Sequence, residues 1–171
     1  MGFSVVTWAR TFNGVALGLL LWTAEAAALE KPAGDIVLTV GGQVSETNAP
    51  SAAVFDMAML SALPQTKFEA TTRWTDTAVF EGVLLRDLLE AVGAEGTQIV
   101  ATALNEFSAT IPMDDVVELP VLLATRVNGE PMKVRDFGPL WIVYDVDGRP
   151  DLQNLQTERK MVWQLKELVV R

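Results

Sequence analysis

Hydrophobic positions repeat with a helical period in one segment of the chain and form strand-like runs in several others. Residues 82–93 place Leu or Val three and four positions apart, and Gly93 supplies the left-handed conformation that ends many helices. Asp56 stands at the capping position of a shorter helix over 57–62, which Pro64 closes. Apolar, β-branched runs bounded by turn-forming residues predict strands. These runs cover residues 36–40, 98–103, 108–111, 121–127, 140–144 and 161–170.

Polar segments connect these elements. Residues 45–53 are rich in Ser, Asn, Pro and Ala and predict a loop, and the Thr-rich residues 67–74 predict an extended segment. Residues 104–107 lie at the turn of a predicted hairpin, and residues 112–119 predict a short helix or turn with acidic residues near its start. No internal repeat is visible in the sequence. The pattern therefore predicts one compact domain of the α+β class, in which helices and strands are mixed.

The N-terminal segment is typical of an export signal. An uncharged run over 14–24 follows Arg10 and leads into small residues suited to cleavage. The run is too short to cross a membrane, which takes about 20 apolar residues. We therefore expect a signal peptide over 1–28, a domain over 29–171 located in the periplasm, and no membrane span after cleavage. An uncleaved anchor that includes residues 1–8 is the alternative, and the segment has no twin-arginine pair to direct export of a folded chain.

Composition removes several classes of chemistry. The chain of 171 residues contains 13 Lys and Arg, 22 Asp and Glu, and neither Cys nor His. The lack of Cys excludes disulfides, thiolate nucleophiles and iron–sulfur clusters, and the lack of His excludes Ser-His triads and the usual zinc sites. The net charge of -9 argues against nucleic acid as a partner, because phosphate binding needs a basic surface. Catalysis would rest on carboxylates, Lys, Tyr144, hydroxyl groups or a cofactor.

Two acidic motifs resemble catalytic or metal sites only superficially. In residues 145–148 the Gly comes at the fourth position, not at the sixth as in a calcium-binding loop, and the closing Glu is absent. A polar turn is the better interpretation of this segment. Asp114 and Asp115 are adjacent, so their side chains diverge on a helix. They predict a charge cluster at a helix N-terminus.

The sparse basic residues suggest an anion site. Lys133 and Arg135 share one face if their segment is extended, and Arg126 lies one hairpin earlier. Arg73 lies in a polar stretch beside Trp74, whose ring either lines a cleft or stacks on the Arg. Converging Arg side chains offer paired donors to phosphate or carboxylate. The alternative is a solvated edge on which these cations pair with nearby acidic residues.

A series of motifs carries a family resemblance. In chain order they are Leu38-Thr-Val-Gly-Gly-Gln-Val44, Phe80-Glu-Gly-Val-Leu-Leu-Arg-Asp-Leu-Leu89, Asn128-Gly-Glu-Pro-Met132, Arg135-Asp-Phe-Gly-Pro-Leu-Trp141 and Trp163-Gln-Leu-Lys-Glu-Leu168. Together they resemble the oxidoreductase molybdopterin-binding domain, which sulfite oxidases share with the catalytic subunit of periplasmic protein-methionine-sulfoxide reductase. The chain is most similar to a short exported bacterial branch, over Asp35 to the C-terminus. The resemblance implies a compact mixed α and β fold.

The motifs depart from the family at the metal ligand. Active relatives carry a molybdenum-ligating Cys just before the segment that matches residues 74–82, where this chain reads Glu69-Ala-Thr-Thr-Arg73. Without this soft ligand the usual molybdenum site does not form. We therefore expect no bound cofactor, although the resemblance allows molybdopterin. A hydroxyl of Thr71 or Thr72 is the alternative metal ligand.

The resemblance also indicates which side chains line the cofactor cleft. In the relatives, Arg and Asn side chains hold the pyranopterin and its phosphate. The matching positions here are Arg73, Asn105, Arg126 and Arg135, and Trp74 joins them as the neighbour of Arg73. Asn105 has a structural alternative, because Asn is favoured in turns between strands.

These features lead to a functional expectation. The chain is expected to be a non-catalytic periplasmic module whose retained cleft binds a small anionic ligand or a partner such as an inner-membrane sensor protein. The alternative is a molybdopterin-dependent oxidoreductase with a non-thiolate metal ligand. A third interpretation is a structural subunit of a periplasmic complex, which would be marked by a large apolar patch.

Overall fold

Two sheets and four short helices form the described part of the chain. The computed structural model describes Gly2 and residues 29–171, so the predicted signal peptide lies, apart from Gly2, outside the described residues. The strands are β1 (Leu38–Gly42), β2 (Ala52–Phe55), β3 (Gln65–Ala70), β4 (Ala78–Leu84), β5 (Gln98–Ala103), β6 (Ser108–Pro112), β7 (Val121–Val127), β8 (Glu130–Pro131), β9 (Trp141–Tyr144) and β10 (Leu165–Val170). The helices are α1 (Met57–Ala62), α2 (Leu85–Ala91), α3 (Met113–Glu118) and α4 (Leu155–Lys160).

The strand order brings distant parts of the chain side by side. The first sheet has the order β2-β1-β10-β5-β6, in which β1 and β10 run parallel and the other pairs are antiparallel. In the second sheet β3 pairs with β4 and β4 with β7, whose other edge pairs with β9 and β8. One continuous cluster of buried apolar side chains draws on both sheets. Among the described residues, no helix has the length and hydrophobicity needed to cross a bilayer.

Several predicted elements are confirmed, and so is the mixed α and β class. Helix α1 occupies the predicted residues, and the Asp56 carboxylate accepts a hydrogen bond from the Met59 N–H at 2.8 Å. The predicted hairpin is formed by β5 and β6. After β7, Asn128 and Gly129 both have positive φ angles, which a tight two-residue hairpin turn requires.

The helix predicted over 82–93 is wrong in its first part. Residues 78–84 form β4, and α2 begins only at Leu85. An apolar run is compatible with either element, and here hydrogen bonding to strands on both edges favours the strand. Gly82 lies so close to β7 that a Cβ atom would stand 2.0 Å from the Leu123 carbonyl oxygen, so the close approach of the two strands requires Gly.

Three further expectations need correction. The strand predicted over 161–170 begins only at Leu165, and the polar helix α4, which has no apolar period to reveal it, precedes it. The loop predicted over 45–53 ends in β2. Residues 134–136 form a 3-10 turn, so the extended geometry that would place Lys133 and Arg135 on one face is absent there.

Candidate functional site

A cavity opens where three segments from different parts of the fold meet. The loop after β3 contributes Arg73 and Trp74, the hairpin turn after β5 contributes Asn105, and α4 contributes Arg159. The volume of the cavity is about 280 Å³. Its lining consists of Arg73, Trp74, Ala103, Asn105, Phe107, Glu158, Arg159, Met161 and Trp163. Both sheets therefore position the site, because each supplies one of its walls.

Aromatic rings form much of the apolar wall. The ring of Trp74 packs edge-on against the buried Trp141, with the centroids 5.9 Å apart. Phe137 lies 5.0 Å from Trp141 and 5.6 Å from Trp163. Edge-to-face aromatic pairs stabilise a fold beyond the area they bury. The two Trp residues of the cavity wall are thus held by a shared aromatic cluster, and the wall is formed before any ligand binds.

The buried Trp141 leaves one polar group unpaired. Its indole N–H has no hydrogen-bond partner within the described part of the chain. The rings of Trp74, Phe80 and Phe137 lie within 6 Å of its ring, centroid to centroid, and aromatic faces are only weak acceptors. Trp141 therefore contributes packing to the site rather than hydrogen bonding.

The polar side of the cavity carries two cations and one carboxylate. Arg73 Nη1 lies 3.8 Å from Glu158 Oε2, and both side chains are partly exposed. Arg159 forms no ion pair with any residue that the structure describes. The Asn105 side-chain oxygen accepts the Phe107 N–H, which confirms its turn role, while the Asn105 amide nitrogen donates to none of the described residues. The cavity therefore offers one excess positive charge and amide donors, within a strongly acidic chain.

A second, more buried cluster fixes α4 beside the cavity. Asp115 in the first turn of α3 accepts a hydrogen bond from the Tyr144 hydroxyl at 2.9 Å and forms an ion pair with Lys160. The Lys160 ammonium also lies 5.1 Å from the centroid of the Tyr144 ring. Burial, reinforced by the charge of Asp115, holds the pKa of the Tyr144 hydroxyl far above its usual value. Tyr144 therefore acts as a neutral hydrogen-bond donor here, not as an acid or base.

The predicted site residues separate into two groups. Arg73, Trp74 and Asn105 line the cavity together. Arg126 lies elsewhere: its guanidinium donates to the Gly129 carbonyl oxygen at 3.2 Å. Arg135 is also outside the cavity, since its largely exposed side chain pairs with the adjacent acidic residue. Arg73, Arg126 and Arg135 were predicted to converge, and of these three only Arg73 lies at the cavity.

Sequence reasoning missed the contribution of α4 and the chain that follows it. Glu158 and Arg159 were not predicted, and Trp163 was named only as part of a family motif. One signal for α4 is present in the sequence: Asn154 precedes a polar run. In the structure the Asn154 side-chain oxygen accepts the N–H groups of Gln156 and Thr157, as an N-terminal cap does.

The residues at the expected metal position do not fit a molybdenum centre. The 171-residue sequence has no Cys, and the two Thr hydroxyls that could replace it already form hydrogen bonds. The Thr71 oxygen is hydrogen-bonded to Thr77 and Asp147, and the Thr72 oxygen to Thr75 and to two backbone N–H groups of its own turn. The described residues also contain no group of three or more carboxylates able to hold a metal ion. The donors at the cavity suit an organic anion better than a metal.

The acidic segment 145–148 has the structure of a turn. The Asp145 carboxylate accepts the Gly148 N–H at 2.8 Å, so it serves its own backbone. The predicted polar turn is confirmed. Asp114 and Asp115 lie in the first turn of α3, as expected of a charge cluster at a helix N-terminus.

Comparisons with known proteins agree with this architecture. Residues 34–145, more than half of the chain, match the oxidoreductase molybdopterin binding domain, and the match ends before α4. Among solved structures, the sulfane dehydrogenase SoxCD from Paracoccus pantotrophus is similar, with a TM-score of 0.62 and 20% sequence identity over 84% of this chain. The chain spans 40% of the length of that protein, so the likeness concerns the fold. No curated protein matches the sequence. The chain belongs to the oxidoreductase molybdopterin-binding domain family.

Proposed function

We propose that this protein is an exported ligand-binding module that holds a small organic anion in the cavity and performs no molybdenum chemistry. The observation that carries the proposal is the composition of the cavity. Two Arg side chains and one carboxylate line it together with aromatic rings, and one of them, Arg73, belongs to the segment where the resemblance places a metal-ligating Cys that this sequence does not have.

The cavity suits a small ligand for physical reasons. Its volume of about 280 Å³ is near the lower end of ligand pockets. Trp74 and Trp163 offer apolar surface to a flat molecule, while Arg73 and Arg159 offer donors to its anionic group. Arg73 already pairs with Glu158, so an anionic ligand would replace that carboxylate as its partner. Binding would then exchange one charge pair for another without leaving a buried charge unpaired.

The cellular setting is part of the proposal. The uncharged run over 14–24 and the small residues after it support export by a signal peptide and a periplasmic location. A protein that binds a ligand without transforming it acts in signalling through a partner that senses occupancy. We propose that this partner is a periplasmic or inner-membrane sensor protein, and the acidic surface makes nucleic acid an unsuitable one.

Thermal unfolding in the presence of small anions tests the proposal. The probes are benzoate, phenyl phosphate and benzenesulfonate, with neutral benzamide as the matched control. A ligand present at about 100 times its Kd stabilises the folded state by about 2.7 kcal/mol, which raises the Tm by about 5–10 °C in a domain of this size. At least one anion is expected to do this, and benzamide is not.

Substitutions then locate the site. Arg73→Gln removes a charge-assisted donor and is expected to weaken binding of the stabilising anion by about tenfold or more. Arg86→Gln is the control, because Arg86 lies on the surface of α2 and pairs with its neighbour Asp87. The proposal fails if no anion raises the Tm, or if Arg73→Gln and Arg86→Gln bind it equally well.

A molybdopterin-dependent oxidoreductase with an unusual metal ligand is the second candidate. Family membership over residues 34–145 is the observation that favours it. In that case Thr71 or Thr72 would have to leave its present hydrogen bonds to reach the metal. The two candidates differ in the molybdenum content of the native protein, which is stoichiometric only for the enzyme.

A further inference from the structure

The outer edge of β6 is an unpaired strand edge. Within the first sheet β6 pairs only with β5, and β6 forms the end of the sheet. None of the backbone hydrogen bonds among the described residues joins Ser108 or Thr110 to another segment on that side. An open edge of this kind is a template for pairing with an additional strand.

The register shows which backbone groups point outward. The Ala103 N–H donates to the Phe107 carbonyl oxygen at one end of the hairpin, and the Met113 N–H donates to the Thr97 carbonyl oxygen at the other end. Hydrogen-bonded and non-hydrogen-bonded pairs alternate along an antiparallel ladder. The hydrogen bonds at the two ends of the hairpin therefore agree on which residues of β6 are hydrogen-bonded to β5. Residues 109 and 111 bond to β5, whereas residues 108, 110 and 112 direct their backbone groups away from it.

A groove runs along this edge, between β6 and α4. Its volume is about 480 Å³, and its lining consists of Phe107, Ser108, Ala109, Thr110, Pro112, Gln156, Arg159 and Lys160. The β6 side chains that line it are small, so they leave room for a neighbouring backbone. Pro112, which has no N–H to donate, limits the pairing at one end of the edge.

The charge in the groove is positive. Among the residues that the structure describes, Arg159 and Lys160 are the only charged ones in its lining, although the chain carries a net charge of -9. Lys160 is balanced by its ion pair with Asp115, so Arg159 supplies the net charge. A segment that carries carboxylates would therefore be attracted to this groove, and a basic one would not.

We propose that an extended, acidic segment of a partner protein binds here by adding a strand to the free edge of β6. The outward N–H and C=O groups of Ser108 and Thr110, with the C=O of Pro112, pair with the backbone of that segment. Side chains on one face of the segment, at every second position, lie toward α4, where Arg159 contacts a carboxylate. The strand edge lies outside the cavity, and the two sites share Arg159.

Titration of the isotope-labelled protein with a blocked peptide, followed by NMR, tests this proposal. The peptide alternates Glu and Val over about six residues, the length of a typical strand. Saturable shifts are expected at residues 108–112 and in α4. A peptide with the same sequence but with N-methyl groups on alternate backbone nitrogens is expected to bind at least about tenfold more weakly, because it cannot complete the ladder. A Lys-Val peptide is expected to bind more weakly as well.

Two pairs of protein variants provide the matched controls. Thr110→Pro removes an outward N–H and is expected to reduce peptide binding, whereas Thr110→Val keeps the backbone and the binding. Arg159→Gln is expected to abolish the preference for the Glu peptide over the Lys peptide, and Arg86→Gln to preserve it. The N-methylated peptide leaves the protein unaltered, so the test stands even if Thr110→Pro does not fold.

Three results would overturn the proposal. The first is equal binding of the N-methylated and unmodified peptides. The second is the absence of saturable shifts, or shifts confined to another surface. The third is a concentration-dependent dimer in sedimentation experiments that Thr110→Pro disrupts, because the edge would then be occupied by a second copy of this chain.

Discussion

Helix α4 carries two ion pairs that are alike in charge and differ in their surroundings. Lys160 and Asp115 are about one-fifth exposed, at 21% and 19%, and Tyr144 adds a hydrogen bond to the same carboxylate. Two residues earlier, Glu158 reaches Arg73, and these side chains are 36% and 60% exposed. The first pair holds the helix in place, whereas the second is solvated and free to exchange partners.

The difference follows from what each pair loses when it is broken. Removing one member of a buried, hydrogen-bonded pair leaves the other charge desolvated without compensation. An exposed pair contributes little to the free energy of unfolding, because water and salt screen the attraction between its charges. The Lys160 side of α4 therefore contributes to stability, and the Glu158 side is where the proposed ligand would take the place of a carboxylate.

The largest expected effect is that of Asp115→Ala. It leaves Lys160 without its carboxylate and the Tyr144 hydroxyl without its acceptor, so the free energy of unfolding should fall by about 2–3 kcal/mol. Urea denaturation measures this loss. Asp114→Ala is the matched control, since it removes a neighbouring acidic residue of α3 that is exposed, and it should cost less than about 1 kcal/mol. Equal losses would contradict a special role for Asp115.

Asp56 differs from both pairs, because its buried carboxylate is held by backbone N–H groups instead of a cation. Its oxygens accept from Met59, Gly34 and Ala33, and these hydrogen bonds lower its pKa below the usual value. The ionised Asp56 carboxylate therefore makes its full contribution to the free energy of unfolding above the usual carboxyl pKa. That contribution is lost as the pH falls through the lowered pKa of the folded state. Asp56→Ala should lower the Tm by several degrees at neutral pH.

The pH dependence provides the check on Asp56. The difference in Tm between wild type and Asp56→Ala should shrink on acidification below about pH 4, where the unfolded chain takes up a proton. Asp35→Ala, at an exposed position nearby, should leave the Tm almost unchanged. A difference that stays constant down to strongly acidic pH would argue against the cap as its source.

Tyr144→Phe has a smaller expected effect on the buried pair. It removes one hydrogen bond to Asp115 while keeping the ring beneath Lys160, so a loss of about 1 kcal/mol is expected. Combined with Asp115→Ala in a double-mutant cycle, the two losses should not add, since both remove the same hydrogen bond. Additive losses would show that the hydroxyl and the carboxylate act independently.

The smallest expected effect on stability is that of Glu158→Gln. Because the pair with Arg73 is exposed, the free energy of unfolding should change by less than about 0.5 kcal/mol. Affinity for the stabilising anion should instead rise by about two- to fivefold, as the competing carboxylate is gone. Isothermal titration measures the affinity, with Glu118→Gln in α3 as the control. Weaker binding in Glu158→Gln would show that the carboxylate helps to hold the ligand.

Local signals in the sequence predicted much of the fold. The capping carboxylate of Asp56, the hairpin of β5 and β6, and the turn at Asn128 and Gly129 each depend on residues next to one another, and each is confirmed. Arg73, Trp74 and Asn105 were also predicted as site residues, and they line one cavity.

The parts of the fold and the site that the sequence did not predict depend on contacts between residues far apart in the chain. β4 was missed in part because its apolar run also suits a helix, and the strand is selected by neighbours on both edges. Helix α4 has no apolar stripe, so its place beside the cavity depends on the pairing of Lys160 with Asp115, 45 residues away. Arg126 and Arg135 were grouped with Arg73 on charge and on the family resemblance. In the fold, Arg126 donates to the Gly129 carbonyl oxygen after β7, and Arg135 lies in an exposed 3-10 turn.

The molybdenum and pterin content of the protein purified from its native cells distinguishes a ligand-binding module from a molybdenum enzyme. Elemental mass spectrometry measures the metal, and fluorescence after oxidation measures the pterin. We expect far less than one molybdenum atom per chain, because the sequence has no Cys and the nearby Thr hydroxyls already form hydrogen bonds. Close to one molybdenum and one pterin per chain would contradict this expectation.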